Sequence, residues 1–434
     1  MARVQGLLGS LLLAAHPTTF RALQGWITTL PLGLDLLGLQ RTMDTAAVAA
    51  CFPFTSADLP PPATAGVLVG HNLHTHGLVC WDRWAQPNYN QVILARSGAG
   101  KSYLAKLEAL RWLYQGVQVL VVDPENEYER LTRAVGGAYL RLGHPGVHLN
   151  PFDLGGEPDA LTRRALFAHT LAAVLLGGPL DPPAAAVLDR AVLAAYAARG
   201  ITSDPRTHSR PAPLLADLAQ ALAGDPDPAG AALAARLSPY VTGSFRGLFE
   251  QPTSTHPDRH LLVLSLGALA EELKGVGTLL ALDTLWRRIT HANQRRRLVV
   301  VDEAWWLAQQ PAGARFLARL AKSARKHWCA LTVVTQDAGD LLATDLGQAV
   351  VANAATQILL GQAPQAIDRL SGAFGLTEGE RQLLLAARVG EGLLAGPGGQ
   401  RAAFCALAAP AEHGLVTSDP AELAAAATPP EPPW

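Results

Sequence analysis

With 434 residues, 49% of them hydrophobic and 16% charged, the chain has ample material for a large core, which excludes disorder over most of its length. Thirty-five Lys and Arg against 36 Asp and Glu leave a formal charge of −1, so no net field advertises nucleic acid or an anionic membrane; such a partner must be met by a local patch. Cys51, Cys80, Cys329 and Cys405 lie far apart without a C-x-x-C pair, which argues against a zinc site or a disulfide scaffold.

Arg3 and the apolar run from Leu7 to Ala15 mimic a secretory signal, but an ordinary buried helix is the better reading. No uninterrupted apolar stretch reaches the ~20 residues that cross a bilayer. Pro60, Pro61 and Pro62 form a stiff break, so residues 1–64 read as a small N-terminal piece with its linker. A hairpin is expected over Val67 to Trp81, then a buried strand over Gln91 to Ala95, a Gly-rich turn, and a helix from Lys101 to about Tyr114. The apolar run Val117 to Val122 ends in Asp123 and Pro124, as a parallel strand covered on both faces does, and a short strand follows over Ala138 to Leu142. Residues 157–248 are Ala- and Leu-rich and helical, with turns at Pro182, Pro205, Pro211 and Pro239. Strands return at Leu261 to Leu266, Leu298 to Val301, Ala330 to Thr335 and Thr356 to Leu360, and a hairpin spans Gly390 to Ala408. This alternation predicts an α/β fold: a mostly parallel central sheet built from 65–156 and 249–408, helices on both faces, an all-helical insertion over 157–248, and a loose tail over 409–434.

The segment from Ala95 to Ser102 closes a strand and opens a helix, the context that a phosphate-binding loop requires. Ser97, Gly98, Ala99, Gly100, Lys101 and Ser102 are the nucleotide-binding candidates. Backbone N–H groups and the helix N-terminus would cradle the phosphates, Lys101 would reach the β- and γ-phosphates, and Ser102 would hold Mg²⁺. Lys101 is one of only five lysines, and Ala95 stands where the usual pattern has its first glycine. A second strand ends in Asp302 and Glu303; consecutive side chains point apart, so Asp302 can bind Mg²⁺ while Glu303 acts as general base. Gln336, after the next strand, can bond the γ-phosphate or the lytic water. Asp123, Glu125 and Glu127 are supporting candidates at the same edge. Arg325 is either a helix-end cation or an arginine finger reaching a neighbouring subunit, Arg295, Arg296 and Arg297 read as a solvated turn, and His71, His74 and His76 share a hairpin without completing a metal set.

These residues resemble the conjugal transfer and type IV secretion ATPases of the TraC, TrbE and CagE kind, within the RecA-like motors related to FtsK and HerA. The resemblance runs through Asn90, Asp123-Pro124-Glu125-Asn126-Glu127-Tyr128, Asn150-Pro151-Phe152-Asp153, Gly247-Leu248-Phe249, Asp302-Glu303-Ala304-Trp305, Arg325-Lys326 and Thr335-Gln336-Asp337, with Leu30-Pro31 and Pro53-Phe54 similar to the segment before the motor. It implies a RecA-like P-loop NTPase fuelled by Mg-ATP, cytoplasmic and peripheral to the inner face of the membrane. It also implies a homo-hexamer or lower homo-oligomer working with the secretion apparatus, with Arg325 acting in trans. Most of the family's larger N-terminal domain is expected to be missing here, and DNA and protein both remain open as cargo. Two other readings stay open: a freestanding FtsK- or HerA-like DNA translocase, and a nucleotide-binding assembly subunit with weak turnover.

Overall fold

The computed structural model describes residues 14–50, 56–63, 66–155, 157, 159–254, 259–290, 295–309, 311–336, 338–419 and 421–423, together with 5, 8 and 9. The helix expected from Leu7 to Ala15 lies largely outside them. Two compact units divide the chain, residues 1–56 and 57–434. The first contains a helix over Ala22–Thr29 with no buried residue and a shorter one over Thr45–Ala50. The boundary falls before the proline run, not after it at 64, because Ala57 is tied into the second unit: its carbonyl accepts from Asn72 Nδ2 at 2.7 Å.

An 11-stranded sheet organises the second unit. The strands are β1 (Val67–Asn72), β2 (Leu78–Trp81), β3 (Gln91–Leu94), β4 (Gln118–Asp123), β5 (Ala138–Arg141), β6 (Leu261–Ser265), β7 (Arg297–Val301), β8 (Cys329–Thr335), β9 (Thr356–Leu360), β10 (Glu391–Ala395) and β11 (Arg401–Ala406). Their order is β2-β1-β11-β10-β9-β3-β8-β7-β4-β6-β5. From β9 to β5 every neighbour is parallel, which puts the carboxyl ends of seven strands at one edge. The rest is antiparallel: the hairpin after β9 folds back on it, and β1 pairs with β11.

Strands β3, β4, β6, β7 and β8 are buried throughout, as their near-continuous Val, Ile and Leu runs require. Alternation then sorts their side chains. Leu120, Val122, Leu262, Leu264, Val299 and Val301 share one core with the helices of 160–241, while Val119, Val121, Leu261, Val263, Leu298 and Val300 share the other with the helix Lys101–Tyr114. Between β5 and β6 run the helices Ala160–Leu175, Pro182–Ala198, Leu215–Ala223 and Pro228–Val241. They pack on the sheet's own core, and a paired contact from Arg164 to Asp283, at 2.5 and 2.9 Å, fastens them to the helix Glu271–Thr290. Pro239, expected to make a turn, instead lies inside the last turn of its helix, where its missing N–H costs a single bond.

The expected loose tail needs a larger correction. A helix over Pro410–Val416 lies on the helix Lys101–Tyr114, with Val416 fully buried. Arg111 Nη2 meets Glu412 Oε2 at 2.6 Å, Tyr103 Oη meets His413 Nδ1 at 3.0 Å, and Lys106 bonds both Ser418 and Glu127. Covered by the sheet on one side and this arm on the other, the helix buries ten of its fourteen residues. Among the described residues no helix is long and apolar enough to cross a membrane.

Candidate active site

The loop after β3 is held between its neighbours: Ala95 N donates to Thr335 O at 3.3 Å and Arg96 N to Gly361 O at 2.8 Å. Ala95 is buried and has no left-handed backbone, so the methyl at the first-glycine position is accommodated. Gly98 and Gly100 do need to be glycine, with φ of 74° and 94°. Gly100 caps the helix that starts at Lys101. Ala99 O accepts from Gly390 N at 3.1 Å, which pins the turn before β10 against the loop. Nothing in the sequence couples these two segments.

Asp302 and Glu303 leave the end of β7 in different directions. Asp302 is buried; its Oδ1 accepts from Glu303 N at 2.9 Å and its Oδ2 from the Tyr128 hydroxyl at 3.3 Å. Glu303 has a left-handed backbone, φ 45°, and this swings its carboxylate toward the loop. Its Oε1 lies 2.6 Å from Lys101 Nζ, and its Oε2 accepts from Trp305 Nε1 at 2.9 Å. Burial pushes the Asp302 carboxyl up to about 7, although the Lys101 charge pulls the other way. Burial also pulls the Lys101 ammonium down, but its hydrogen bond and ion pair with Glu303 outweigh this and hold it above the ordinary lysine range.

Of the supporting carboxylates, Asp123 builds the loop after β4, accepting from Glu127 N and Tyr128 N at 3.1 Å each. Glu127 pairs with Lys106 at 3.0 Å. Glu125 is raised by burial and by the nearby Glu303 charge. Gln336 follows β8, the strand between β3 and β7, and its side chain is exposed; Thr335 is in register with Leu94. Gln336 therefore stands at the edge where the loop, Asp302 and Glu303 meet.

Arg325 does not. It sits in the turn Ala324–His327 before β8, at the amino edge, donating to Pro87 O with its guanidinium 5.9 Å from the Tyr89 ring centre. Seven residues of β8 separate it from the site. At about 3.3 Å per residue that is roughly 23 Å, beyond the reach of an arginine side chain. The solvated arginine turn needs correction at Arg297, which is buried and bonds Gln118 Oε1 at 3.2 Å; Arg296 is exposed, its guanidinium over the Trp84 ring at 5.4 Å. Tyr128 and Trp305 were legible only as members of a family pattern, without their roles.

Buried Asp302 and Ser102 suit a divalent cation, because a carboxylate whose charge burial penalises gains most from one, and Ser102 adds a buried hydroxyl beside Lys101. With the helix N-terminus aimed at the same edge, the arrangement also suits a phosphate beside that cation. The fold and site define a RecA-like P-loop ATPase.

Comparison with known proteins gives the relatives. The TraG P-loop domain family matches residues 255–391 and the Helicase HerA central domain family residues 92–159, so the two halves of the site fall in matched segments. The type IV secretion system protein CagE of Helicobacter pylori is 30% identical over 139 residues, which are 31% of this chain and 14% of CagE; the alignment thus spans a small part of that relative. The structure of VirB4 of Thermoanaerobacter pseudethanolicus aligns with a TM-score of 0.72 at 29% identity, over 81% of this chain and 98% of that one. The plasmid coupling protein TrwB in complex with ADP and Mg²⁺ aligns at 0.52 and 16% identity, over 76% and 87%, a likeness of fold. These matches support the resemblance to type IV secretion ATPases.

Proposed function

We propose that the chain hydrolyses Mg-ATP to drive type IV secretion or conjugative transfer of DNA or protein. The observation that carries the ATPase reading is the 2.6 Å contact between Lys101 and Glu303, which joins the phosphate loop to the second acidic strand across β8. In this reading the backbone of Ser97 to Ser102 cradles the phosphates, Lys101 neutralises the β- and γ-phosphates, and Gln336 contacts the γ-phosphate or the water. Ser102 and Asp302 would hold Mg²⁺, which when bound neutralises charge on the phosphate oxygens. Glu303 takes the proton of the attacking water. The matches to CagE and VirB4 support the secretion reading, with components of that apparatus as partners and a cytoplasmic place at the inner membrane face.

Arg325, too far from its own site, acts on a neighbour's nucleotide in a homo-hexamer or smaller ring. The test is steady-state ATPase against protein concentration, with and without single- and double-stranded DNA, for the wild type and Arg325→Ala. A per-subunit rate that rises with concentration and is lost in an assembled Arg325→Ala protein supports the ring. A flat, arginine-independent rate removes it. Salt-sensitive DNA stimulation favours the translocase reading, toward which the HerA match points.

A further inference from the structure

The two oxygens of Glu303 have partners of different kinds. Oε1 meets the Lys101 ammonium, and Oε2 accepts from the Trp305 indole at 2.9 Å. Trp305 lies in the first turn of the helix Ala304–Gln309 and is half-buried, so its donor is fixed by the element that follows β7. Side chains two residues apart do not normally meet on a helix. Here they do because Glu303 precedes the helix with φ 45°, a conformation that costs a non-glycine residue about 1–2 kcal/mol and persists only where its surroundings hold it.

A general base must offer one oxygen to water while staying fixed through the other. Lysine is the partner that a γ-phosphate competes for. An indole N–H is neutral and donor only, and its tether to Glu303 is a single intervening residue.

We propose that Trp305 is a positioning residue for hydrolysis: its indole N–H holds Oε2 of Glu303, leaving Oε1 to take the water's proton when Lys101 engages phosphate. In that step the water oxygen bonds the γ-phosphorus as the bond to the bridging oxygen of ADP breaks, and the water's proton passes to Oε1. The inference rests on the ATPase reading above.

Trp305→Phe keeps an aromatic ring, smaller than the indole, and removes the donor. Losing one hydrogen bond to a charged group predicts kcat lower by about 10-fold, with KM and the affinity for a fluorescent ATP analogue within about twofold of wild type. In a Glu303→Gln background, single-turnover rates should be insensitive to Trp305→Phe, because the substitution acts through Glu303. Unchanged kcat in Trp305→Phe, additive losses in the double variant, or loss of analogue binding together with turnover each overturns the inference while the ATPase reading stands. If the wild-type chain binds the analogue and never turns ATP over, both fall.

Discussion

Lys101 Nζ and Glu303 Oε1 lie 2.6 Å apart although strand β8 separates the strands that carry them. Both side chains are largely buried, so the pair is a real competitor for any phosphate that approaches Lys101. Glu303→Gln should therefore lower turnover by about 10²–10⁴-fold, as expected for loss of a general base, while ATP binds as tightly as in wild type or a few-fold tighter. Lys101→Ala should lose binding and turnover together. Single-turnover rates and equilibrium titration separate the two; wild-type turnover in either variant removes the assigned chemistry.

Asp302 gives a pH prediction. Its folded-state value of about 7 lies above the ordinary 3.8, so the folded chain binds this proton more tightly than the unfolded one. The carboxylate costs nothing below pH ~4, its cost grows through the window between 3.8 and about 7, and it is complete above 7. Asp302→Asn should raise stability at pH 8 by at most about 4 kcal/mol and change little near pH 4. Urea unfolding at the two pH values without added Mg²⁺ checks this, and an equal shift at both refutes it.

The departure from the usual loop pattern is testable by exchanging residues. Ala95 has an ordinary backbone and Gly98 does not, although a Cβ on Gly98 would meet nothing within 4 Å. Ala95→Gly should leave kcat and KM within about twofold. Gly98→Ala should weaken nucleotide binding through its left-handed φ alone, by about 1–2 kcal/mol. Strong gain of activity in Ala95→Gly would show that the methyl distorts the loop.

The C-terminal arm should contribute to stability. Glu412 is the carboxylate partner of Arg111, which is itself 8% exposed. Glu412→Ala leaves that guanidinium with two carbonyl acceptors, of Leu68 and Leu407, and should cost about 2–4 kcal/mol, measured by denaturant unfolding. Val416→Ala should cost about 1–3 kcal/mol from the cavity alone.

Much of this architecture was legible because its signals are local. Runs such as Leu120 to Val122 and Leu298 to Val301 declare buried parallel strands, and the loop from Ser97 to Ser102 declares its phosphate chemistry by glycine spacing and its place before a helix. What stayed hidden is long-range or rests on single contacts. Residues 409–434 read as loose because an Ala- and Pro-rich stretch has no periodicity, yet Glu412 and Ser418 bond Arg111 and Lys106 on one helix and Val416 is fully buried. The contact of Trp305 with Glu303 depends on one backbone angle that no spacing rule anticipates.

Strand β1 sets a schedule for synthesis. Its partner across the sheet, β11, begins at Arg401, and His71 faces Cys405, roughly 330 residues later. As the chain emerges from a ribosome, the hairpin of β1 and β2 must wait with one edge bare until those intervening residues have been made. An exposed strand edge invites pairing with other chains. The interval before β11 arrives is thus when a nascent chain is most open to misassembly, and a shortened product ending before residue 401 never closes it.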